Sequence, residues 1–210
     1  MATTQARAST CLTLLRRIRS APEQVRARFR GQSTRIMLII ACRLRPSATA
    51  DIEVFTCSTV LRDLARRVRF LEAEARSYEK AFLAIVRVWR PDLLDLTGVG
   101  AIVAATVLTS WSHPGRCRND SAFAMLAGAA PIPASSGKTI RHRLNRAGNR
   151  QLNRALHTIV QTRLKKDEAT QAYAERRRTE GKTDREIKRC LKRYVARQLY
   201  RVLETTPSTP

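Results

Sequence analysis

Residues Ala134 to Lys166 read ASSGKTIRHRLNRAGNRQLNRALHTIVQTRLKK. The stretch contains no Asp or Glu, and the acid-free region around it extends from after Asp120 to before Asp167. Lys and Arg recur along its whole length, so it carries positive charge without countercharges. Such a segment suits a polyanion, because each Lys or Arg that meets a nucleic-acid phosphate can release a condensed counterion. We therefore interpret the rest of the chain as the frame that presents this stretch.

The second half of the stretch predicts an amphipathic helix from about Asn149 to Leu164. Its apolar positions recur every three or four residues and form one stripe, whereas Arg150, Arg154 and Gln161 lie on another face. The stripe consists of Leu152, Ala155, Leu156, Ile159, Val160 and Leu164. A helix with one apolar face needs other elements to pack against, and the flanking sequence supplies them.

A longer helix is predicted upstream of the stretch. Apolar residues follow a heptad spacing without interruption from Leu61 to Trp89, and Cys57 fits one step earlier. The heptad positions are Leu61, Leu64, Val68, Leu71, Ala75, Tyr78, Phe82, Ile85 and Trp89. This seam is typical of a coiled coil or an antiparallel helical hairpin. Its aromatic members are therefore expected in a core or in an interface between copies of the chain.

Shorter helices complete a mainly α fold, and no convincing pair of strands is present. Capping residues and breakers mark where these helices start and stop. The signals are a break at Pro22 between two helical pieces in residues 12–30, a cap at Ser33 or Thr34, a cap at Asn119 or Asp120, and a capping box from Thr183 to Glu186. The last helix is expected to bury Ile187, Cys190, Leu191, Tyr194, Val195, Leu199 and Val202.

These elements divide the chain into three parts. Residues 1–90 hold linker helices and the heptad helix, residues 91–205 form a compact helical domain, and residues 206–210 form a disordered tail. The extended piece between the serines and the amphipathic helix, residues 139–144, belongs to the second part.

Composition narrows the class of partner. The 210 residues carry a formal net charge of +23, from 40 basic and 17 acidic side chains. That excess favours nucleic acid first and an anionic membrane surface second. No apolar run is longer than Ile36 to Cys42, which is too short to span a bilayer, and no secretory signal precedes it. The five scattered cysteines lack a CxxC pair and suggest a reducing compartment, so a cytoplasmic protein is expected.

No self-contained metal site is predicted. His113, His142 and His157 are isolated from one another, and the acidic residues lack the spacing of metal ligands. No glycine-rich nucleotide loop of the Walker type is present either.

Gly98-Val99-Gly100 lies between two apolar runs, in the pattern of a helix-hairpin-helix. Glycines at these positions allow a tight turn and close backbone approach. The backbone N–H groups there, together with the start of the following helix, suit a phosphate. Gly98 and Gly100 are therefore candidates for contacts to the DNA backbone, although a plain tight turn gives the same pattern.

Ser135 and Ser136 stand in a turn that ends at Gly137. A serine that attacks a phosphate must lose its proton and needs cations to stabilise the pentavalent oxygens. Arginine suits this role because its fork matches two phosphate oxygens. The candidate phosphate-binding residues are Lys138, Arg141, Arg143, Arg146, Arg150 and Arg154. From the residues alone, a turn that binds phosphate only through its N–H groups remains the alternative.

Four motifs in a fixed order carry a family resemblance. They are Gly98-Val99-Gly100, Phe123-x-x-x-Ala127-Gly128-x-x-Pro131, Ser136-Gly137 and Arg146-x-Gly148-Asn149-Arg150-x-Leu152. With these motifs and the final run REIKRCLKRYVARQLY, the region from about Asp92 to Leu203 resembles the C-terminal domain of transposases of the insertion sequence 110/116/902 family. The heptad helix resembles the linker coiled coil of that family.

The resemblance implies a DNA recombinase that is guided by a structured RNA, in the cytoplasm of a bacterium and associated with its nucleoid. The serine of the Ser-Gly motif would be the strand-cleaving nucleophile, which is Ser136 here, with Ser135 as the nearest competitor. The family also uses an N-terminal RuvC-like domain whose acidic residues hold Mg²⁺, whereas residues 1–50 of this chain contain only Glu23 as an acid. We therefore expect a truncated copy without the metal half of the site, which associates with itself or with a full-length copy through the heptad helix.

Two other functions remain open at this stage. One is a non-catalytic nucleic-acid-binding remnant, or an inhibitor that forms mixed oligomers with a full-length transposase. The other is a helix-hairpin-helix DNA glycosylase, in which Asp120 would be the catalytic carboxylate after the hairpin.

Overall fold

The computed structural model describes residues 2–47, 49–133, 142–143, 145 and 147–205. Within them the fold is mainly α, as predicted. The chain divides into two compact units, Met1–Glu79 and Lys80–Pro210. The functional division after residue 90 stays a prediction.

The first unit consists of short helices and the N-terminal part of a long one. Its elements are α1 (Ala2–Arg19), α2 (Glu23–Arg26), a 3₁₀ turn (Ala27–Phe29), α3 (Thr34–Cys42) and the start of α4 (Ile52–Trp89). Helix α1 begins ten residues before the predicted start at residue 12, because its Ser/Thr-rich first half makes helical side-chain bonds such as Thr10 Oγ1 to the Ala6 carbonyl at 2.8 Å. The break at Pro22 is confirmed, and Ser33 is the cap of α3.

The core of this unit joins all four helices. It contains Leu14, Ile18, Val25, Phe29, Ala41, Leu61 and Ala65, each less than a tenth exposed. The apolar residues of α1 and those in the first half of the heptad seam therefore pack in one cluster.

The heptad seam of α4 is buried only in its first half. Leu61 and Val68 exclude solvent almost fully, whereas the exposed fractions of Tyr78, Ile85 and Trp89 are 50%, 54% and 71%. The expectation that the aromatic members lie in a core of the chain itself is therefore wrong, and only their expected place in an interface between copies remains.

The second unit continues α4 and adds five helices. Its further elements are a 3₁₀ turn (Pro91–Leu93), α5 (Ala101–Trp111), α6 (Asp120–Leu126), α7 (Arg150–Lys166), α8 (Glu168–Thr179) and α9 (Asp184–Glu204). Helix α7 lies at the centre, and its predicted stripe is buried from Leu152 to Val160 against α5, α8 and α9.

Helix α8 was not predicted, because its sequence is charged on most sides. It begins at the cap Asp167, whose carboxylate accepts a hydrogen bond from the Thr170 N–H at 2.9 Å. The rings of Tyr173 and Tyr194 meet edge to face, with 5.7 Å between centroids, and fix α8 to α9. Tyr194 is nevertheless 53% exposed, so its predicted burial is wrong. The capping box from Thr183 to Glu186 is confirmed.

One two-residue ladder interrupts the helices, although no strand pair was predicted. β1 (Ile132–Pro133) and β2 (His142–Arg143) pair antiparallel, with Ile132 opposite Arg143 and Pro133 opposite His142. No helix in the described part of the chain has both the length and the apolar character that crossing a membrane requires.

Candidate nucleic-acid interface

The glycine turn before α5 is fixed by α7. Gly98 has φ +89°, and a Cβ there would lie 3.0 Å from the Ile159 carbonyl oxygen and 3.1 Å from the Ile159 Cα. The Arg163 guanidinium donates from Nε to the Thr97 carbonyl oxygen at 2.9 Å. Only glycine combines that φ with so close a helix, so Gly98 has a structural role in packing.

Gly100 differs from Gly98, because the space that a Cβ would occupy there is empty. It is exposed, it caps the N-terminus of α5, and a Cβ at this position would meet no heavy atom within 4 Å. The open space leaves room for a ligand at the free N–H groups of the first turn of α5. The helix-hairpin-helix itself is not confirmed, since only a three-residue 3₁₀ turn, Pro91–Leu93, precedes the glycines after α4.

The second and fourth sequence motifs contact each other through the backbones of Gly128 and Gly148. A Cβ on Gly148 would lie 2.4 Å from both the Cα and the N of Gly128, which itself has φ +63°. The two backbones therefore touch where side chains would keep them apart. This contact joins the end of α6 to the start of α7.

Asparagine side chains reinforce the same junction. The Asn149 N–H donates to the Leu126 carbonyl at 2.7 Å, while its own side-chain oxygen caps α7 by accepting from Gln151 and Leu152. The Asn153 side chain donates to the Ala127 carbonyl at 2.7 Å. Asn149 of the fourth motif and the nearby Asn153 thus satisfy carbonyls at the C-terminal end of α6, which otherwise have no partner within their helix.

The predicted nucleophiles lie outside the described residues. Ser135 and Ser136 belong to residues 134–141, as do Lys138 and Arg141, and Arg146 is also outside. The structure instead describes the two ends of that segment, Pro133 and His142, which are neighbours in the β1–β2 ladder. The two glycines of the junction flank the ladder in the sequence, since Gly128 precedes β1 and Gly148 follows β2.

Arg150 and Arg154 are exposed on the first two turns of α7. The first turn of α7 contains no acid, so the positive helix end and these cations repel each other. Cations at that place are unfavourable for the helix alone, and they fit a bound anion. Gly98 contacts α7 at Ile159, nine residues after Arg150, so the two groups of candidate residues are about 14 Å apart along the helix axis.

Helix α9 adds basic residues that were not predicted as a site. Lys188, Arg189, Lys192 and Arg193 form a cluster on it, and none of the ion pairs within the described part of this unit includes them. Lys188 and Lys192 are close enough to His157 of α7 to act on its charge: burial first, and then these two cations, lower the pKa of His157. The positive charge of α9 was visible in the sequence of residues 184–193, DREIKRCLKR, but only packing shows that Lys188 and Lys192 lie close to α7.

Asp120 has a structural environment. The cap of α6 is Asn119, whose side-chain oxygen accepts from the Ala122 N–H at 2.8 Å, so Asp120 is the first helical residue and not the cap. Its carboxylate lies 3.3 Å from Arg197 Nε of α9. The angles do not suit a hydrogen bond, so the contact is an electrostatic one.

No metal-binding group is found among the described histidines, cysteines and acidic residues. Among the described residues no three His, Cys, Asp or Glu side chains come together in a way that could hold a metal ion. The Mg²⁺ that the resemblance implies therefore finds no fitting set of ligands in the part of the chain that the structure describes.

Residues 91–175, which contain the glycine turn, the α6–α7 junction and most of α8, match the Transposase IS116/IS110/IS902 family. Over these residues the chain is similar to that family, and the match agrees with the resemblance that the motifs indicated. A curated relative from Streptomyces coelicolor, described as an insertion element IS110 uncharacterized 43.6 kDa protein, is 31% identical over 138 residues. The matched region is 65% of this chain and 33% of the relative, so the chain spans about a third of the length of that relative.

Proposed function

We propose that this chain is the part of a transposase that holds DNA and cleaves a strand with a serine. Ser136 is the nucleophile in this proposal, and Ser135 is the competitor. Lys138, Arg141, Arg143 and Arg150 hold the scissile phosphate. The observation that carries the proposal is the acid-free, basic region between Asp120 and Asp167, which lies inside the segment that matches the transposase family.

The described geometry supports a rigid base for this chemistry. The Gly128–Gly148 contact and the Asn149 and Asn153 hydrogen bonds fix the α6–α7 junction, and the β1–β2 ladder extends from it. Segment 134–141, which contains both serines, connects Pro133 of β1 to His142 of β2, and these two residues pair in the ladder. Catalytic groups gain from such support, because a nucleophile must be held close to its phosphate to act efficiently.

The chemical step is a transesterification. The Ser136 oxygen bonds to phosphorus, and the P–O bond to one deoxyribose breaks. The serine proton is lost, the departing oxygen gains a proton, and a strand-end hydroxyl is left beside a serine-linked phosphate. Arginine forks stabilise the negative charge that grows on the phosphate oxygens. The same phosphoserine can then be attacked by another strand end, which restores the free serine.

DNA is the main partner in this proposal, and the resemblance adds a structured guide RNA. Self-association would use the C-terminal half of the α4 seam, where Tyr78, Phe82, Ile85 and Trp89 follow the heptad spacing and stay exposed. Exposed apolar side chains in a continuous heptad register fit a second helix with the same pattern. A copy of this chain or a longer relative of it offers that pattern.

The non-catalytic alternative shares the DNA contacts and the seam, and differs only at the serines. A binder or an inhibitor loses nothing when Ser136 is replaced. The glycosylase alternative gains no support, because the carboxylate of Asp120 is held beside Arg197.

The experiment that tests the proposal traps a covalent protein–DNA adduct on a denaturing gel. It uses labelled duplex that spans the ends of the element, the matching RNA and Mg²⁺. The parent chain is compared with Ser136→Ala and Ser135→Ala, and circular dichroism checks that each variant is folded. An adduct that disappears only in Ser136→Ala supports the proposed nucleophile.

Two other results would redirect the assignment. Loss only in Ser135→Ala moves the nucleophile by one residue. No adduct with any chain, together with salt-sensitive DNA binding, favours the non-catalytic alternative.

A further inference from the structure

A cavity of about 300 Å³ opens in the second unit between the segment that follows α6 and the N-terminal half of α9. Its volume is at the lower end of the range for small-ligand pockets, about 300–1,000 Å³. None of the described site residues predicted from the sequence lines it, whereas Arg189, Lys192 and Arg193 of the α9 cluster do. Its wall includes Gly128 and Pro131, so it adjoins the glycine junction and the start of β1.

The cavity has an apolar floor and a basic rim. Its apolar lining residues, which we call the floor, are Ala129, Ala130, Pro131, Ile187 and Cys190. The rim consists of Arg177, Lys182, Arg189, Lys192 and Arg193, with Glu186 as the acidic residue among the lining side chains. Such a combination fits a ligand with one flat, weakly polar part and one strongly negative part.

The rim carries more cations than acids. Glu186 Oε2 accepts hydrogen bonds from the Thr183 N–H at 2.9 Å and the Thr183 hydroxyl at 2.8 Å, and the carboxylate keeps its negative charge, which is attracted to Lys182 and Arg189. Arg177 pairs with Glu180. Within the described residues, no ion pair includes Arg189 or Arg193. The rim therefore retains an unbalanced positive charge.

Lys192 is the most constrained of these cations. Its Nζ donates to the Asn153 side-chain oxygen at 2.8 Å, and an ammonium group has two further donors. The side chain is about half-buried, and burial followed by the charge of Arg189 lowers the pKa of Lys192. A cation that is both desolvated and repelled is stabilised when an anion binds beside it.

We propose that this cavity holds one unpaired nucleotide of a bound nucleic-acid strand. The base lies against the apolar floor, and its phosphate contacts Arg189, Lys192 and Arg193. The inference rests on the proposed function, because it takes nucleic acid as the partner. It adds that the strand is held with one base out of its stack, on the chain segment that leads through β1 to Ser136.

Cys190 gives a readout inside the cavity. The test measures the rate at which N-ethylmaleimide modifies each cysteine of the full chain, followed by mass spectrometry. Saturating deoxyadenosine monophosphate is expected to slow the modification of Cys190 by about tenfold, with no change at Cys42 of the first unit. Deoxyadenosine alone and inorganic phosphate alone are expected to protect only at concentrations about tenfold higher, because each supplies half of the contacts.

Two double variants distinguish a specific role of the rim cations from a general effect of positive charge. Arg189→Ala with Arg193→Ala removes two cavity cations and is expected to abolish the protection. Arg185→Ala with Arg201→Ala removes the same charge from the same helix outside the cavity, and is expected to retain the protection. A single-stranded oligonucleotide is expected to protect Cys190 in the parent chain, whereas the matching duplex is not.

The outcomes distinguish this inference from the proposed function. If a labelled strand binds with salt-sensitive affinity but neither the strand nor the mononucleotide protects Cys190, the cavity inference is wrong and the DNA-binding proposal stands. If phosphate protects as well as the mononucleotide, the cavity is a bare anion site and the nucleotide assignment is overturned. If no strand binds at all, the proposed function fails, and the assignment of the cavity to a strand fails with it.

Discussion

Gly148 lies against Gly128 so closely that a Cβ on Gly148 would be 2.4 Å from the Gly128 Cα. Two sequence motifs that lie twenty residues apart are thus one structural unit. The unit fixes the end of α6 to the start of α7. The β1–β2 ladder, whose two strands the serine segment connects, lies between the two glycines in the sequence. The proposed chemistry depends on this contact, although neither glycine takes part in it.

Gly148→Ala is therefore expected to destabilise the chain by about 1–3 kcal/mol, the usual cost of forcing an extra methyl group into a packed place. Urea denaturation followed by tryptophan fluorescence measures the change. Gly100→Ala is the matched control, since its Cβ would meet nothing within 4 Å, and we expect a change within about 0.5 kcal/mol. Equal effects of the two substitutions would contradict the packing role of the Gly128–Gly148 contact.

Arg90 holds the C-terminus of α9. Its Nη1 donates to the Leu203 carbonyl oxygen at 2.9 Å, its Nη2 donates to the Val202 carbonyl, and its Nη2 is 2.7 Å from the Asp92 carboxylate. Because the guanidinium is buried, Arg90→Met is expected to lower the free energy of unfolding by about 2 kcal/mol. Arg87→Met, at an exposed position in the last turn of α4, is the control. Denaturation curves that coincide for the two variants would rule out this cap.

The pKa of His157 is expected to lie below its ordinary value of 6.5, because burial, Lys192 and Lys188 disfavour the imidazolium. The folded chain then binds fewer protons than the unfolded chain between 6.5 and the folded pKa, so stability falls as the pH is lowered through that window. A proton NMR titration of the imidazole measures the midpoint. Lys192→Gln should raise it, whereas Lys182→Gln removes an equal charge elsewhere and should not. A midpoint that Lys192→Gln leaves unchanged would contradict the coupling.

Arg150→Ala tests the electrostatic part of DNA binding. The side chain is exposed at the start of α7 and pairs with no acid within the described residues. We expect weaker binding to all sequences and a fall of about 1 in the slope of log affinity against log salt, as for the loss of one phosphate contact. Arg116→Ala, in the loop after α5, is the charge-matched control. An unchanged salt slope for Arg150→Ala would remove this residue from the interface.

Ile85→Lys tests self-association through α4. The side chain is on the exposed half of the seam, and a charge there opposes a second helix in the same register. Sedimentation velocity is expected to show a parent oligomer that dissociates in this variant. Val88→Lys, at a more exposed position outside the seam, should leave the oligomer intact. A parent chain that stays monomeric with and without DNA would exclude the proposed association.

The sequence alone predicted what depends on local patterns. Periodicity gave the buried stripe of α7, and capping residues gave the starts of α3, α6 and α9. The order of short motifs indicated the resemblance to the transposase family. Helix faces and caps depend on residues that are close in the sequence, because they are determined within one or two helical turns.

The tertiary structure decided which of these residues meet. The sequence could not show that Gly98 packs against Ile159, that Gly148 touches Gly128, or that the C-terminal half of the α4 seam stays exposed. It also could not show that Lys192 and Asn153, from different helices, share one cavity wall. The reason is physical: a heptad stripe or a glycine looks the same in the sequence whether or not a partner covers it, and only the packing of distant segments determines that.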